Sequence, residues 1–136
     1  MYLFKTSKDT IGGVLQNRVH AYAGCPDPWA KGEIILISKN RSDCDPGERQ
    51  IQFVTRFRDV RRALPGEISK YWGPSNEGRW TYIIECEDFE ELKPPFDLAD
   101  VIGPRAPAYY EVRSFKRLDP RDEQDILAFL AKQGIP

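Results

Sequence analysis

The sequence predicts an α+β fold, a small and mostly antiparallel β-barrel with flanking helices. Short segments with the alternating or continuously apolar pattern of β-strands recur along the chain, and helical patterns lie near both ends. Proline and glycine are scattered between these segments as turns and do not collect into a linker. Since the chain has 136 residues, of which 40% are hydrophobic, we expect one domain spanning residues 1–136.

The N-terminal part predicts two strands around a short helix. Residues 2–5 are rich in aromatic side chains and predict the first strand, and residues 19–23 predict the second. Between them, Ile11, Val14 and Leu15 are spaced to face inward from a helix. A pair of glycines weakens that helix by roughly 1 kcal/mol each. Two prolines after the second strand predict a loop.

The middle of the chain predicts two longer strands. Residues 33–38 contain four successive aliphatic residues, as in a strand that is buried on both faces, so we expect this strand at the centre of the barrel. Residues 50–62 alternate, which places Ile51, Phe53 and Phe57 on one face. The alternation breaks near the end of this segment and predicts a bulge or bend there.

The C-terminal half mixes short helices with strands. We expect a helical turn over residues 64–71, a strand over 79–87 and a last strand over 109–115. Between these two strands, Pro94-Pro95 followed by Phe96, Leu98, Val101 and Ile102 predicts a short 3₁₀ or helical segment that packs its apolar residues on the barrel. Asp119 is placed to cap a closing helix that has proline at its first position. The apolar residues predicted to face inward from this helix are Ile126, Leu127, Phe129 and Leu130.

Composition argues against several classes of function. The formal net charge of −1 creates no global positive field, so a nucleic-acid partner would have to meet a local patch. A single histidine disfavours a histidine-rich metal site, and three cysteines without a CxxC pair indicate reduced thiols. No apolar run is long enough to cross a bilayer. We therefore expect a cytoplasmic protein with no cofactor, no metal and no membrane partner.

Arginines are concentrated in one segment, residues 49–62. Alternation places Arg56 and Arg58 on one face of the predicted strand, where their planar guanidinium groups can approach neighbouring phosphates. Arg61 is the third candidate for a phosphate contact. The alternative is a solvated sheet face, on which arginines lie beside acids of the neighbouring strand.

The three tryptophans are candidates for a base-binding pocket. Trp29, Trp72 and Trp80 all lie beside proline or glycine at predicted junctions of loops and strands, where a rigid scaffold presents side chains to a ligand. Stacking on an aromatic ring contributes about 1–3 kcal/mol per base. The alternative is that these tryptophans anchor a small core, because each buries a large area.

Patterns of catalytic residues are weak. His20 is the only imidazole, and Gly12-Gly13 lacks the following Lys-Ser/Thr of a phosphate-binding loop. The acidic side chains of residues 85–100 could in principle bind Mg²⁺, but the pattern favours a solvated acidic edge over a metal site. We therefore expect no catalytic residues and no metal ligands.

Four segments resemble EVE domains of the PUA-like superfamily. They are Tyr2-Leu3-Phe4-Lys5-Thr6-Ser7, Tyr22, Lys31-Gly32-Glu33 with the aliphatic strand and Ser38-Lys39-Asn40, and Ser114-Phe115-Lys116-Arg117-Leu118. The chain departs from the family's pattern at Ala21, where the family has asparagine, and at Ser38-Lys39, where the family has a histidine. These departures imply an altered polar pocket and a different base preference.

The resemblance implies a PUA-like barrel, related to YTH domains, that binds a modified base without turnover. By analogy, the pocket is formed by Tyr22, Trp29, Ser38, Trp72 and Trp80. The implied partners are a nucleic acid with a modified, for example methylated, base and a nuclease or other effector protein. Two alternatives remain open: an ASCH-like nuclease or amide hydrolase on the same class of barrel, and a protein-interaction module that uses the acidic edge.

Overall fold

A computed structural model describes residues 1–7, 9–23, 31–39, 50–111 and 115–135. Within these ranges the chain forms six strands, five α-helices and two 3₁₀ turns. In chain order they are β1 (Tyr2–Thr6), α1 (Ile11–Asn17), β2 (Val19–Tyr22), β3 (Ile34–Lys39), β4 (Ile51–Arg62), α2 (Glu67–Trp72), a 3₁₀ turn (Pro74–Asn76), β5 (Tyr82–Phe96), α3 (Ala99–Ile102), a 3₁₀ turn (Gly103–Arg105), α4 (Pro107–Tyr110), β6 (Phe115–Arg117) and α5 (Pro120–Lys132).

The strands form one sheet in the order β2-β5-β4-β3-β1-β6. Among the described strands, β1 and β3 pair in parallel and the other pairs are antiparallel, which confirms a mostly antiparallel sheet. Although β1 and β2 lie far apart in this order, the rings of Phe4 and Tyr22 are 5.3 Å apart. Thr6 Oγ1 and His20 Nε2 are 2.7 Å apart. The sheet therefore curls on itself into a half-barrel.

The two faces of the curled sheet bury different sets of side chains. The concave face holds the interior cluster, whose buried members are Tyr2, Phe4, Val14, Tyr22, Ile35, Ile37, Phe57, Ile84 and Cys86. The convex face packs against the C-terminal helices in the outer cluster, which includes Leu3, Leu36, Ile51, Val54, Leu98, Ile102, Ile126 and Leu130. A third group, the α2 cluster, joins α2 to β2 and to the first part of β5 through Val19, Ala21, Ile68 and Ile83.

β1 and β3 are buried on both faces. Leu3 pairs with Leu36 and both face the outer cluster, whereas Phe4 pairs with Ile37 and both face the interior cluster. Burial on two sides explains why these segments lack the polar alternation of a half-exposed strand. The prediction of a central strand over residues 33–38 is confirmed.

β4 contains irregularities that reverse part of its predicted pattern. Its register against β5 shifts at three points, between Ile51 and Phe53, Val54 and Arg56, and Phe57 and Asp59. Against β3, Phe53 pairs with Ile37 and Ile51 with Ser38, so Gln52 is the extra residue of a bulge. Ile51 therefore joins the outer cluster, while Phe53 and Phe57 pack in or against the interior cluster. The prediction that Ile51 shares their face is wrong. The predicted bulge near the end of this segment is confirmed.

β5 is longer than the sequence predicted. It runs from Tyr82 to Phe96 and carries the acidic segment and Pro94-Pro95 as strand. The short helical segment predicted after these prolines is confirmed as α3, although Phe96 still belongs to the strand. After β5, the next helix is α3. Pro104 and Pro107 then lie at the start of the second 3₁₀ turn and of α4. Tyr109 and Tyr110 belong to α4, so the predicted strand over residues 109–115 is also wrong at its start.

The first and last helices follow their predicted positions. α1 buries Val14, but Leu15 is 36% exposed. α5 begins with Pro120 after Asp119, and it buries Ile126 and Leu130. Leu127 is 40% exposed, so the inward predictions for Leu15 and Leu127 are wrong. Within the described ranges, no helix is both long and apolar enough to span a bilayer.

Candidate functional site

Tyr22 and His20 lie in the packed interior of the barrel. Their rings stack 4.7 Å apart, and the Phe115 ring lies 4.9 Å from Tyr22. His20 Nδ1 accepts a hydrogen bond from the Ala21 N–H, so the ring proton is on Nε2 and is donated to Thr6 Oγ1. Burial lowers the pKa of His20 to about 4. His20 is thus a neutral donor to Thr6 and is poorly suited to act as its base.

Ser38 lies on the opposite face of the sheet from Tyr22. It pairs with Lys5, which follows Leu3 by two residues and therefore shares the convex face. There Lys5 Nζ donates a hydrogen bond to the carbonyl oxygen of Tyr110. The structure therefore does not bring Ser38 and Tyr22 into one pocket, and Trp29 lies outside the described residues.

Trp72 is held as an anchor between α1 and α2. Its Nε1 donates to the Thr10 carbonyl oxygen at 2.9 Å. The ring packs so closely on Gly13 that an added Cβ would lie 2.5 Å from Nε1. The Trp72 and Trp80 rings meet edge to face, 5.3 Å apart. Trp72 is therefore fixed by α1 and packs against the ring of Trp80.

Trp80 carries an arginine on its ring. The guanidinium carbon of Arg79 lies 4.5 Å from the centre of the Trp80 ring. Arg79 Nη1 also donates to Asn76 Oδ1 at 3.0 Å, and Asn76 Nδ2 donates to the Trp72 carbonyl oxygen at 2.8 Å. Trp72, Asn76, Arg79 and Trp80 thus form a closed ring of contacts that fixes the exposed guanidinium in place.

A second arginine, Arg62, lies over the ring of Tyr82, which is two residues after Trp80 in the sequence. Arg62 pairs with Tyr82 across β4 and β5, and its guanidinium carbon is 5.5 Å from the centre of the Tyr82 ring. Thr81 lies between the two pairs and bonds through its N–H to the Tyr22 carbonyl oxygen. We call this end of the sheet the arginine–aromatic rim, formed by Arg62, Arg79, Trp80, Thr81 and Tyr82.

The rim arginines differ from their neighbour Arg61 in their partners. Within the described part of the chain, neither Arg62 nor Arg79 forms a salt bridge. Arg61 instead binds the buried carboxylate of Glu67 through both terminal nitrogens and Glu85 through Nε. Hydrogen bonding to Glu67 raises the pKa of Arg61. Its guanidinium is occupied, which disfavours the predicted phosphate contact.

The other two predicted phosphate contacts do not form a pair. Arg56 Nη1 donates to the Gly32 carbonyl oxygen at 2.8 Å, whereas Arg58 is exposed. The register shift between Phe57 and Asp59 makes Arg58 the unpaired residue of a bulge. The bulge interrupts the alternation on which a shared face of Arg56 and Arg58 depended.

No residues in the described ranges form a cluster of three or more potential metal ligands. Cys86 is buried, and desolvation raises the pKa of its thiol to about 12, which makes it a poor nucleophile. The remaining cysteines, Cys25 and Cys44, lie outside those ranges.

The comparisons with known proteins show the fold. No protein-family model and no curated protein matches the sequence. Among solved structures, the chain is similar to ASCH from Zymomonas mobilis, with a TM-score of 0.65, 12% identity and 93% of each chain covered. A serine-to-alanine variant of that protein matches with a TM-score of 0.63, 11% identity and 94% of each chain covered. A tyrosine-to-phenylalanine variant matches with a TM-score of 0.62 and 12% identity, and the match covers 93% of this chain and 96% of that chain. The chain therefore shares the fold of this ASCH protein, and the comparisons do not extend to EVE domains.

Sequence reasoning missed the rim as a unit. Arg62 was recognised only as part of the arginine-rich segment, and Arg79 and Tyr82 were not singled out. The available signal was the Arg79-Trp80-Thr81-Tyr82 sequence, in which a cation adjoins two aromatic residues. Arg62, which lies over Tyr82, is seventeen positions before Arg79 in the sequence and becomes its neighbour only through the pairing of β4 with β5.

Proposed function

We propose that this protein binds nucleic acid and holds an unpaired base at the arginine–aromatic rim. The observation that carries the proposal is the presence of two exposed arginines, each lying on a half-buried aromatic ring at the same end of the sheet. Within the described ranges neither arginine is neutralised by a carboxylate. The charge and planar surface of each guanidinium are therefore available to a ligand.

The chemistry of these pairs suits a nucleotide. A guanidinium that lies on an aromatic ring has a second planar face, and nucleic-acid bases stack on such planes. The edge of the same group can donate hydrogen bonds to phosphate oxygens. Because the protein's net charge is −1, this local contribution matters more than any long-range attraction. The PUA-like fold is consistent with the proposal.

We further propose that the base is modified, for example by methylation, and that binding occurs without turnover. The sequence resemblance to EVE domains supports both points. In this proposal Tyr22 and Trp72 support the rim from within the fold, and a nuclease or other effector acts as a separate partner. Trp29 stays a candidate pocket residue. Ser38 does not contribute to the rim, because it is buried beside Ile51 at the opposite end of β4 from Arg62.

Replacing Trp80 with leucine removes the ring that holds the Arg79 guanidinium in place for the base. We expect this change to weaken binding of a single-stranded oligonucleotide by about 5–150-fold, which corresponds to the loss of one stacked base at about 1–3 kcal/mol. Leucine retains apolar contact with the α2 cluster while removing the ring. Affinity is measured by anisotropy of labelled strands, unmodified or carrying methylated adenine or cytosine. Arg121→Ala, which removes an exposed arginine of α5, serves as a control and is expected to bind normally.

Changing Arg79 separates its charge from its planar surface. Arg79→Lys retains the charge, so affinity falls while the salt dependence stays close to that of the parent. Arg79→Ala is expected to reduce the slope of log affinity against log salt by about 0.7, the value for one phosphate contact on a single strand. Absence of binding to every strand at high micromolar concentration, or unchanged affinity of Trp80→Leu, contradicts the proposed function.

One observation favours a second candidate, a protein-interaction surface on the acidic edge. A groove of about 260 Å³ lies between β5 and α5, with Glu90 and Glu91 beside Leu92, Phe96 and Phe129. A basic partner with apolar side chains suits this lining. The protein-interaction surface would be favoured if such a partner bound in a salt-sensitive manner and the Trp80→Leu change left that binding unaltered. A nuclease would be favoured if the oligonucleotide were progressively cleaved during the titration.

A further inference from the structure

We infer that the ligand of the rim is a single strand that crosses the edge of the sheet and places two neighbouring bases on opposite faces. One base stacks on the Arg62–Tyr82 pair and the next on the Arg79–Trp80 pair. This inference rests on the proposed function and adds to it the strandedness of the ligand and the residues that contact each of two bases.

The two stacking surfaces belong to different faces of the same sheet. Along β5, Ile84 and Cys86 face the interior cluster and Ile83 faces the α2 cluster. Alternation therefore places Tyr82 on the concave face. Trp80 packs against the α2 cluster, on the convex face. Thr81 is the single residue between them, so the two pairs lie on either side of the sheet's end.

Thr81 has one group left for a ligand. Its N–H donates to the Tyr22 carbonyl oxygen at 3.2 Å, and its carbonyl oxygen accepts from the Ala63 N–H at 2.8 Å. The residue is exposed, and among the described residues its hydroxyl has no partner. A hydroxyl between two stacked bases is suited to donate to the phosphate that links them.

The convex half of the site is already ordered. Asn76 Oδ1 accepts a hydrogen bond from Arg79 Nη1 at 3.0 Å, and Asn76 Nδ2 donates one to the Trp72 carbonyl oxygen. The Trp72 ring in turn contacts the Trp80 ring. A side chain that is fixed before binding loses less rotamer freedom when the ligand arrives. We therefore assign Asn76 as a positioning residue for Arg79.

A duplex does not fit this arrangement. In a double helix each base is stacked between its neighbours, so its planar faces are occupied and only its edges and backbone are accessible. Two surfaces that face away from each other also cannot both be reached by a stiff, continuously stacked helix. A single strand has free base faces and can turn between adjacent nucleotides.

The test compares one sequence as a single strand and as a duplex, with labelled oligonucleotides and the full chain. We expect the single strand to bind at least ten times more tightly than the duplex. Tyr82→Leu and Trp80→Leu are each expected to weaken single-strand binding by about 5–150-fold and to leave the weak duplex binding unchanged. Phe89→Leu, which alters another half-buried ring of β5, is the matched control, and thermal unfolding verifies that every variant is folded.

The outcomes separate this inference from the proposed function. Equal or tighter binding of the duplex, with continued dependence on Trp80, overturns the single-strand inference and retains the nucleic-acid interface. Single-strand binding that depends on only one of the two rings overturns the two-base arrangement. Absence of binding to either form overturns both proposals.

Discussion

Replacing Glu67 with glutamine is expected to lower the free energy of unfolding by about 2–4 kcal/mol. The buried Glu67 carboxylate accepts hydrogen bonds from Arg61 Nη1 at 2.7 Å, Arg61 Nη2 at 2.6 Å and the Leu64 N–H at 2.9 Å. Glutamine has one oxygen and no charge, so it cannot accept from both ends of the guanidinium. Urea unfolding at neutral pH measures the loss.

Glu85→Gln is the matched control, because Glu85 binds the same guanidinium through Arg61 Nε at 3.0 Å but is more exposed than Glu67. A partly exposed pair contributes about 0–1 kcal/mol, so this change is expected to cost much less. Equal losses in the two variants would contradict the dominant role that the structure gives to the buried carboxylate.

The contribution of Glu67 also has a defined pH dependence. Hydrogen bonding to Arg61 lowers the pKa of Glu67 from its ordinary value of 4.5 to about 2. A carboxyl group whose pKa is lower in the folded state stabilises the fold fully above its unfolded pKa and loses that contribution as pH falls through the folded pKa. The stability difference between the parent and Glu67→Gln should therefore shrink between pH 4.5 and pH 2, whereas a pH-independent difference would contradict this assignment.

The elements that were predictable from the sequence are those with strong local signals. The aliphatic run that forms β3 has to be buried on both faces, and Asp119-Pro120 is a recognisable helix start. The order of strand and helix near the N-terminus also follows from apolar spacing. In each case the pattern within one segment determines the structure.

Other elements depend on contacts that a local pattern does not contain. Pro94 and Pro95 lie in β5 because the strand pairs with β4 again at Phe96, after the register shift that follows Glu91. Tyr110 resembles a strand residue by composition, but its hydroxyl accepts from the Leu98 N–H and donates to Asp97, which holds α4 against the segment before α3. Tertiary hydrogen bonds thus override the strand preference of tyrosine.

The tryptophans illustrate why the candidate site was only partly predictable. Their position beside proline and glycine correctly marked Trp72 and Trp80 as neighbours of a loop. It could not indicate that Trp72 is a half-buried support and that Arg79 lies over the Trp80 ring. That distinction depends on Gly13 of α1 and on Thr10, which precedes that helix. The site is a product of the packing between α1 and α2.

That packing leads to opposite expected results for two adjacent glycines of α1. Gly12→Ala is expected to stabilise the protein by up to about 1 kcal/mol, because alanine is the better helix former and no atom lies within 4 Å of the added Cβ. Gly13→Ala gains the same helix propensity, but its Cβ would lie 2.5 Å from Trp72 Nε1 and 2.7 Å from the Tyr71 carbonyl oxygen. Overpacking of this kind costs about 1–3 kcal/mol, so we expect a net loss of stability.

The Gly13→Ala change should also reach the rim. To relieve the contact, Trp72 has to move away from α1, which breaks its bond to the Thr10 carbonyl oxygen and shifts the ring that supports Trp80. Urea unfolding measures stability, and tryptophan fluorescence of the folded state reports the displaced rings. We expect Gly13→Ala to change the emission and weaken oligonucleotide binding, whereas Gly12→Ala should retain both. If the two variants behaved alike, the close contact between α1 and α2 would not be the feature that positions the rim.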